Sequence, residues 1–204
     1  MALRTRFTEL VGCRRPVQLA AMGGGVGGAE LASAVHEAGG LGMVSWDEEP
    51  PAEGCGVNFL VPFMPPPEEA VRIVRRARLV EFFYGAPSRD LVELGHGGDA
   101  LVGWQVGSAQ EAEAAVASGC DYVVAQGTEA GGHVRGRQPL DELLAEVVER
   151  VGAPVVAAGG IATAERVAQL LASGADAVRV GTRFLACPES RAHDAYVQSL
   201  LEAS

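Results

Sequence analysis

The sequence predicts an α/β protein folded as a compact (β/α)8 TIM barrel, and three features support this fold class. Eight short apolar segments recur along the 204 residues, and segments with helical patterning separate most of them. Strands that alternate with helices indicate a parallel sheet that is covered on both faces. Two helix–strand units also resemble each other, which is typical of a barrel built from repeats. We therefore expect a single domain over residues 1–204.

The eight predicted strands are short and apolar on both faces, as strands buried between layers are. Glycine or proline residues punctuate them. Their ranges are Val17–Ala21, Leu41–Ser45, Gly56–Val61, Leu79–Tyr84, Leu101–Val106, Tyr122–Gln126, Pro154–Ala158 and Ala177–Val180. Eight strands fit a closed barrel, and a chain of this length is near the lower end of the size range for that fold.

Five full helices are predicted from their caps, terminal charges and helix stops. They cover Ala29–Ala38, Glu68–Ala77, Ser108–Ala117, Leu140–Val151 and Thr163–Ala172. The links near 46–55 and 85–100 predict shortened segments without full helices. His193 is assigned to a terminal helix with a structural role. Because the sequence stops at Ser204, soon after the eighth strand, we expect a barrel without a C-terminal cap region.

The two similar units are SAQEAEAAVASGCDY at 108–122 and TAERVAQLLASGADAV at 163–178. Each contains a hydroxyl cap, an acid in the first turn, an apolar helix, Ala-Ser-Gly, and an aspartate before the next strand. This order is what a barrel helix that leads into its following strand requires.

Composition excludes several classes of function. The net charge of −10 makes nucleic acid and anionic membranes poor partners. No apolar run approaches the roughly 20 residues that span a bilayer, and no signal peptide is recognisable. The four cysteines are scattered without a CxxC pair, and the four histidines lie far apart. These spacings argue against a metal site or a disulfide framework and favour a cytoplasmic protein.

Three glycine clusters follow strands directly. The cluster GGGVGG at 23–28 satisfies GxGxxG, and Asp47 follows the second strand, which superficially matches a dinucleotide fingerprint. A lone glycine pattern is weak evidence, and eight strand units favour a barrel over a Rossmann sheet. The clusters at 159–160 and 181–182 follow the seventh and eighth strands, where β/α barrels commonly bind phosphate. We therefore expect a phosphate site there, with Thr182 as a hydroxyl donor.

The segment YVVAQGTEAGGH at 122–133 predicts a reactive site. An apolar strand ends in a loop with two adjacent glycines, which let the backbone approach a ligand closely. His133 follows at once, and histidine is the side chain whose unperturbed pKa lies near neutrality. A surface histidine after a glycine turn is the alternative that this segment alone leaves open.

Over nearly its whole length, the sequence resembles the nitronate monooxygenases, formerly called 2-nitropropane dioxygenases, which are FMN-dependent β/α barrels. The most specific block is AQGTEAGGH at 125–133. The other blocks are LAAMGGGVGG (19–28), GVNFLVPF (56–63), VEFFYGAP (80–87), WQVGS (104–108), VVAAGGIA (155–162) and VGTRFLACPES (180–190). The shorter motifs within the last two blocks also occur in other flavin and phosphate-binding barrels.

The resemblance implies that FMN lies over the C-terminal mouth of the barrel and that His133 is the catalytic histidine. The cofactor-binding residues it implies are Met22, Gly23, Asn58, Gln105, Gln126, Ala130, Gly131, Gly132, Gly159, Gly160, Gly181 and Thr182. Tyr84, at the end of the fourth strand, has either a structural role or a contact with substrate. No metal is expected.

Two departures from the family pattern bear on activity. Gln105 occupies a position where many relatives carry a lysine, so one positive charge near the flavin is expected to be missing. The sequence also lacks the C-terminal helices with which relatives usually cover the mouth. An open site, cover from a partner subunit, or a truncated barrel would each follow from that difference.

The leading hypothesis is an FMN-dependent oxidoreductase that uses O2 to oxidise alkyl nitronates, or nitroalkanes, to carbonyl compounds and nitrite. A second hypothesis keeps the flavin but uses NAD(P)H, because NAD(P)H-dependent flavin reductases and flavin-type enoyl-acyl-carrier-protein reductases share similar motifs. A third is a flavin-binding barrel without turnover. The exposed mouth and the habit of the family suggest a homodimer.

Overall fold

The computed structural model describes residues 3–48 and 54–202 and shows a barrel of parallel strands. The strands are β1 Val17–Leu19, β2 Met43–Ser45, β3 Gly56–Leu60, β4 Leu79–Phe83, β5 Leu101–Val106, β6 Tyr122–Gln126, β7 Val155–Ala158 and β8 Ala177–Val180. They form one sheet in the order β1-β8-β7-β6-β5-β4-β3-β2. A parallel bridge between Gln18 and Leu41 brings its two edges together. The predicted (β/α)8 barrel is therefore confirmed, and the Rossmann alternative is excluded.

Eight α-helices lie within the described residues. They are α1 Arg6–Val11, α2 Gly28–Glu37, α3 Pro67–Val74, α4 Arg89–His96, α5 Ala109–Ala117, α6 Leu140–Arg150, α7 Ala164–Ala172 and α8 Asp194–Glu202. Short 3-10 turns cover Val61–Phe63 and Thr182–Ala186. The five predicted full helices are confirmed, with small differences at their ends.

The prediction for the 85–100 link was wrong, because that link contains α4. Gly95 lies inside this helix, and a Cβ at that position would be 2.4 Å from Val102 Cγ2. The glycine therefore lets α4 pack closely on β5, although glycine in a sequence usually indicates a loop. Residues 49–53 of the other link, 46–55, lie outside the described residues.

The two similar units make equivalent contacts. In each, the capping hydroxyl accepts a hydrogen bond from the backbone N–H three residues later, as N-caps do. Asp121 Oδ2 accepts from the Val102 N–H at 2.7 Å, and Asp176 Oδ2 accepts from the Val155 N–H at 2.9 Å. Each aspartate thus joins the start of its strand to the preceding strand, which explains the shared Ala-Ser-Gly-x-Asp pattern.

Helix α1, which the sequence did not predict, covers the N-terminal ends of the strands. Phe7 is fully buried, and its ring meets Tyr122 edge-on with ring centroids 5.4 Å apart. Arg6 forms an ion pair with Asp176 at 2.6 Å. This end of the barrel is closed by side chains, so the opening lies at the opposite, C-terminal end.

Helix α8 follows β8 and reaches that opening. It begins at Asp194, one residue after His193, so His193 lies just outside the helix to which it was assigned. The Nδ1 atom of His193 accepts from the Ala195 N–H at 3.2 Å, which is a capping contact. Tyr196 of α8 lines the cavity described below, so the chain itself contributes part of the cover at the mouth.

None of the helices in the described part of the chain is long and apolar enough to cross a membrane. Among the same residues, no three His, Cys, Asp or Glu side chains are close enough together to hold a metal ion. The four cysteines are free. Burial raises the pKa of Cys55 to about 11 and that of Cys120 to about 12, so both are protonated near neutrality.

Candidate active site

A cavity of about 560 Å³ opens at the C-terminal ends of the strands. Its volume falls in the range of cofactor and substrate sites, roughly 300–1,000 Å³. All the predicted site residues except Gly160 line it. Gly160 is exposed, and a Cβ there would approach Glu129 Cβ at 3.1 Å. We conclude that Gly160 shapes the turn after β7, whereas its neighbour Gly159 borders the cavity.

The loops after β6 and β8 meet at Gly131 and Thr182. A Cβ on Gly131 would be 2.9 Å from Thr182 Oγ1, closer than ordinary contact allows. The bare glycine backbone therefore lets the two loops approach each other at the cavity wall. Thr182 Oγ1 makes no hydrogen bond to any described residue, which leaves the hydroxyl available to a ligand.

Gln126 places an unsatisfied polar atom at the cavity. This side chain ends β6, is 6% exposed, and donates from Nε2 to the backbone carbonyl of His133 at 3.0 Å. A carbonyl oxygen can only accept a hydrogen bond, so the NH2 end of the Gln126 amide must face it. This fixes the orientation of the amide. Gln126 Oε1 is buried and has no hydrogen-bond partner among the described residues. An orphaned buried acceptor is unfavourable by about 1–3 kcal/mol, so a ligand that donates a hydrogen bond there would relieve it.

His133 borders the cavity with its imidazole exposed. Within the described residues, no hydrogen bond engages either ring nitrogen, so both are available to a ligand. The ring instead packs edge-on against Tyr84, with centroids 5.7 Å apart. His133 is therefore held by its backbone, through Gln126, and by one aromatic contact.

Tyr84 has a left-handed backbone conformation, with φ 67°. Such a conformation is rare for a bulky residue and indicates local strain. The next residue is fixed tightly: a Cβ on Gly85 would be 2.7 Å from Val61 Cγ1, and the Gly85 carbonyl accepts from Trp104 Nε1 at 3.2 Å. The sequence left the role of Tyr84 open. The structure places its ring against His133 rather than in the lining of the cavity.

Arg179 is a cavity residue that the sequence did not predict. It lies on β8, is 7% exposed, and lines the cavity floor. Its guanidinium donates to Gln105 Oε1, to Gln18 Oε1 and to the carboxylate of Glu81. The available signal was a lone charged residue within the apolar segment AVRV, because an inward-facing charge in a barrel strand needs partners.

The partners of Arg179 form a buried polar cluster, Gln18–Glu81–Gln105–Tyr122–Arg179, across the barrel interior. Gln18 Nε2 and the Tyr122 hydroxyl both donate to Glu81 Oε1. The pKa of the Tyr122 phenol is well above its usual value, first because of burial and then because of the Glu81 charge. Tyr122 is therefore a protonated donor, and the two carboxylate oxygens of Glu81 accept three hydrogen bonds from the cluster.

Comparison with known proteins identifies the family. The family model for nitronate monooxygenase matches residues 68–204. The chain belongs to the nitronate monooxygenase family. Members of this family are flavin-dependent oxidoreductases, and a nitronate monooxygenase of Pseudomonas aeruginosa is 31% identical over 96% of this chain and 73% of its own length.

Two further relatives extend the comparison. A (3aS,4S,5R,7aS)-5-hydroxy-7a-methyl-1-oxo-octahydro-1H-indene-4-carboxyl-CoA dehydrogenase of Mycobacterium tuberculosis is 34% identical over the whole of this chain. The structure of FabK from Thermotoga maritima has a TM-score of 0.90 and 32% identity, and covers 99% of this chain and 69% of that chain. The chain spans about 60% of the length of the curated dehydrogenases it matches. These relatives share the fold and the family of this chain, whereas their names describe different reactions.

Proposed function

We propose that the cavity binds FMN and that the protein uses O2 to oxidise alkyl nitronates to carbonyl compounds and nitrite. The observation that carries the proposal is Gln126 Oε1, a buried acceptor without a partner, inside a cavity lined by the family's most specific block. A flavin offers N–H and O–H donors that would satisfy this atom. Membership of the nitronate monooxygenase family supports nitronates as the substrate class.

The residues present fit FMN by their chemistry. Asn58 and Gln105 present amides at the cavity, and Met22 and Gly23 border it. The glycines of the loops after β6, β7 and β8 offer backbone N–H groups, and Thr182 adds a hydroxyl, which suits a phosphate group. When bound, FMN supplies the electron-transfer chemistry, while the protein supplies binding, orientation and electrostatics.

In this proposal, His133 acts on the substrate. A neutral imidazole accepts the α-proton of a nitroalkane, which needs an unoccupied ring nitrogen such as His133 has. A protonated imidazole instead holds a nitronate anion by a charge-assisted hydrogen bond. The edge-on contact with Tyr84 restricts the ring without occupying either nitrogen.

The first experiment measures O2 consumption by the FMN-loaded protein with propyl-1- or propyl-2-nitronate. With these nitronates, which need no deprotonation, His133→Ala should reduce uptake by about 10–100-fold through loss of the charge-assisted hydrogen bond. With 1- or 2-nitropropane, where His133 acts as the base, the loss should be about 10²–10⁴-fold. The matched control is His96→Ala, which removes an imidazole that does not line the cavity and pairs with Asp121. Equal activity of the two variants would contradict the role assigned to His133.

FabK is an enoyl-acyl-carrier-protein reductase, and the similarity to it favours one alternative, a flavin-dependent reductase that would take its electrons from NAD(P)H. Bleaching of the flavin by NADH or NADPH, with no nitronate-dependent O2 uptake, would replace the first proposal by this one. A yellow protein that is silent in both assays would indicate a flavin-binding barrel without turnover. Sedimentation of the same preparation tests the proposed homodimer.

A further inference from the structure

The buried cluster in the barrel interior is asymmetric with respect to the cavity. Arg179 lines the cavity, and it is the only Lys, Arg, Asp or Glu among the described residues that does so. Its partner Glu81 is fully buried and does not line it. A ligand in the cavity therefore meets the cation of this ion pair before the anion.

Arg179 also retains a hydrogen-bonding capacity. A guanidinium has five N–H donors, and Arg179 uses four of them: Nε and one Nη2 proton to Gln18, the other Nη2 proton to Glu81, and one Nη1 proton to Gln105. The second Nη1 proton has no partner among the described residues. The cavity floor thus offers one charged donor in addition to the Gln105 amide.

Stability alone does not explain this cluster. Barrel interiors are usually filled by branched apolar side chains, and replacing a buried ion pair by apolar residues is often neutral or stabilising. Here five strands contribute polar side chains to the interior. The cluster also requires a glycine at position 103, since a Cβ there would be 2.3 Å from Tyr122 Cζ. That space lets the Tyr122 hydroxyl reach Glu81.

We propose that Arg179 supplies a positive charge to the flavin and so favours its reduced, negatively charged form, and that Glu81 and Gln18 hold the guanidinium in place. The inference rests on the proposed FMN site. Reduced flavin carries negative charge that the oxidised ring lacks, and a fixed cation in a poorly solvated site stabilises such charge.

The hydrogen bond between Arg179 and Gln105 supports the role proposed for Arg179. Arg179 Nη1 donates to Gln105 Oε1, so the amide of Gln105 is oriented with its oxygen toward the cation. Gln105 Nε2 is then the end left for other contacts, and it can only donate. Both side chains therefore present donors to the cavity, which suits a group that gains negative charge.

The test is the midpoint potential of bound FMN at pH 7, measured by dye equilibration, together with the dissociation constant of FMN. The key variant is Glu81→Gln/Arg179→Gln, which removes both charges and leaves no buried ion unpaired. We expect the affinity for reduced FMN to fall about tenfold more than that for oxidised FMN. For a two-electron couple this corresponds to a midpoint potential lower by about 30 mV.

A second variant tests the sign of the effect. Glu81→Gln alone removes the anion and retains the cation, so the potential should rise. If the cluster had only a structural role, the midpoint potential would fall or stay unchanged in both variants. That result would overturn the inference. The matched control is Arg6→Gln, which removes one positive charge at the opposite end of the barrel and should leave the potential unchanged.

The outcomes separate this inference from the proposed function. If FMN binds all the proteins and the double variant keeps the native potential, the inference fails and the FMN site stands. A contact of Arg179 with the phosphate would weaken both redox forms equally and give the same unchanged potential. If the unaltered protein does not bind FMN, the proposed function fails first. If the double variant does not fold, Glu81→Gln decides, because its unpaired guanidinium borders the cavity and can be solvated there; a potential that does not rise in this variant overturns the inference.

Discussion

The left-handed backbone of Tyr84 allows a prediction that reverses the usual order of glycine and alanine. For a residue with a Cβ, this conformation is unfavourable by about 1–2 kcal/mol, and the φ of Tyr84 is 67°. Tyr84→Ala removes the ring but keeps the strain, whereas Tyr84→Gly removes both. Glycine is otherwise less stable than alanine by about 0.5–1 kcal/mol, through the entropy of the unfolded chain. Because the strain is the larger of the two effects, we expect Tyr84→Gly to be the more stable variant by roughly 0.5–1 kcal/mol.

Urea unfolding of the two variants measures this difference directly. For a chain of this size, a change of 1 kcal/mol also moves the melting temperature by about 2–4 °C. The comparison pair is Tyr196→Gly and Tyr196→Ala in α8, where glycine should be the less stable by about 1 kcal/mol. An alanine variant at least as stable as the glycine variant at position 84 would refute the assignment of strain to Tyr84.

Three further predictions concern the interior and the cavity. Gly103→Ala should destabilise the protein by about 1–3 kcal/mol in urea unfolding, because the new methyl group would displace the Tyr122 ring; unchanged stability would show that the interior is loosely packed. Gln126→Met should weaken FMN binding about tenfold while changing the stability of the apoprotein little, because it removes an orphaned acceptor together with the hydrogen bond to the His133 carbonyl; calorimetry and thermal melting report the two effects. Cys120 has its pKa raised to about 12 by burial, so its contribution to stability is full below the unfolded pKa of about 8.5 and decreases as the pH rises toward 12. The free energy of unfolding should therefore decline less steeply with pH in Cys120→Ala than in the native protein, and equal slopes would contradict the burial of this thiol.

The sequence predicted the elements whose signals are local. Caps such as Ser108 and Thr163 and the aspartates at 121 and 176 repeat in a fixed order, and the same hydrogen bonds appear in both units. Helix α4 was missed because its Gly95 serves tertiary packing against Val102. The local sequence pattern alone cannot distinguish a glycine such as Gly95, which is needed for close packing against Val102, from a glycine in a loop.

The residues of the candidate site also fall into two groups, those that local sequence motifs predict and those that they do not. The loop residues that border the cavity were predictable, because they lie in compact motifs after strands. The buried cluster was not, since Arg179 lies 161 residues from Gln18 and 98 from Glu81. Each of these residues is a single polar exception within an apolar strand. Only the barrel geometry shows that the exceptions point to the same interior.

Gln126 connects the two parts of the site. Its Nε2 donates to the His133 carbonyl, while its Oε1 is unpaired inside the cavity. A ligand that donates to Oε1 polarises the amide and strengthens the bond from Nε2, as linked hydrogen bonds do. If FMN binds as proposed, occupation of the cavity should therefore tighten the attachment of the loop that carries His133. One amide thus couples the binding of a ligand to the placement of the group proposed to act on the substrate.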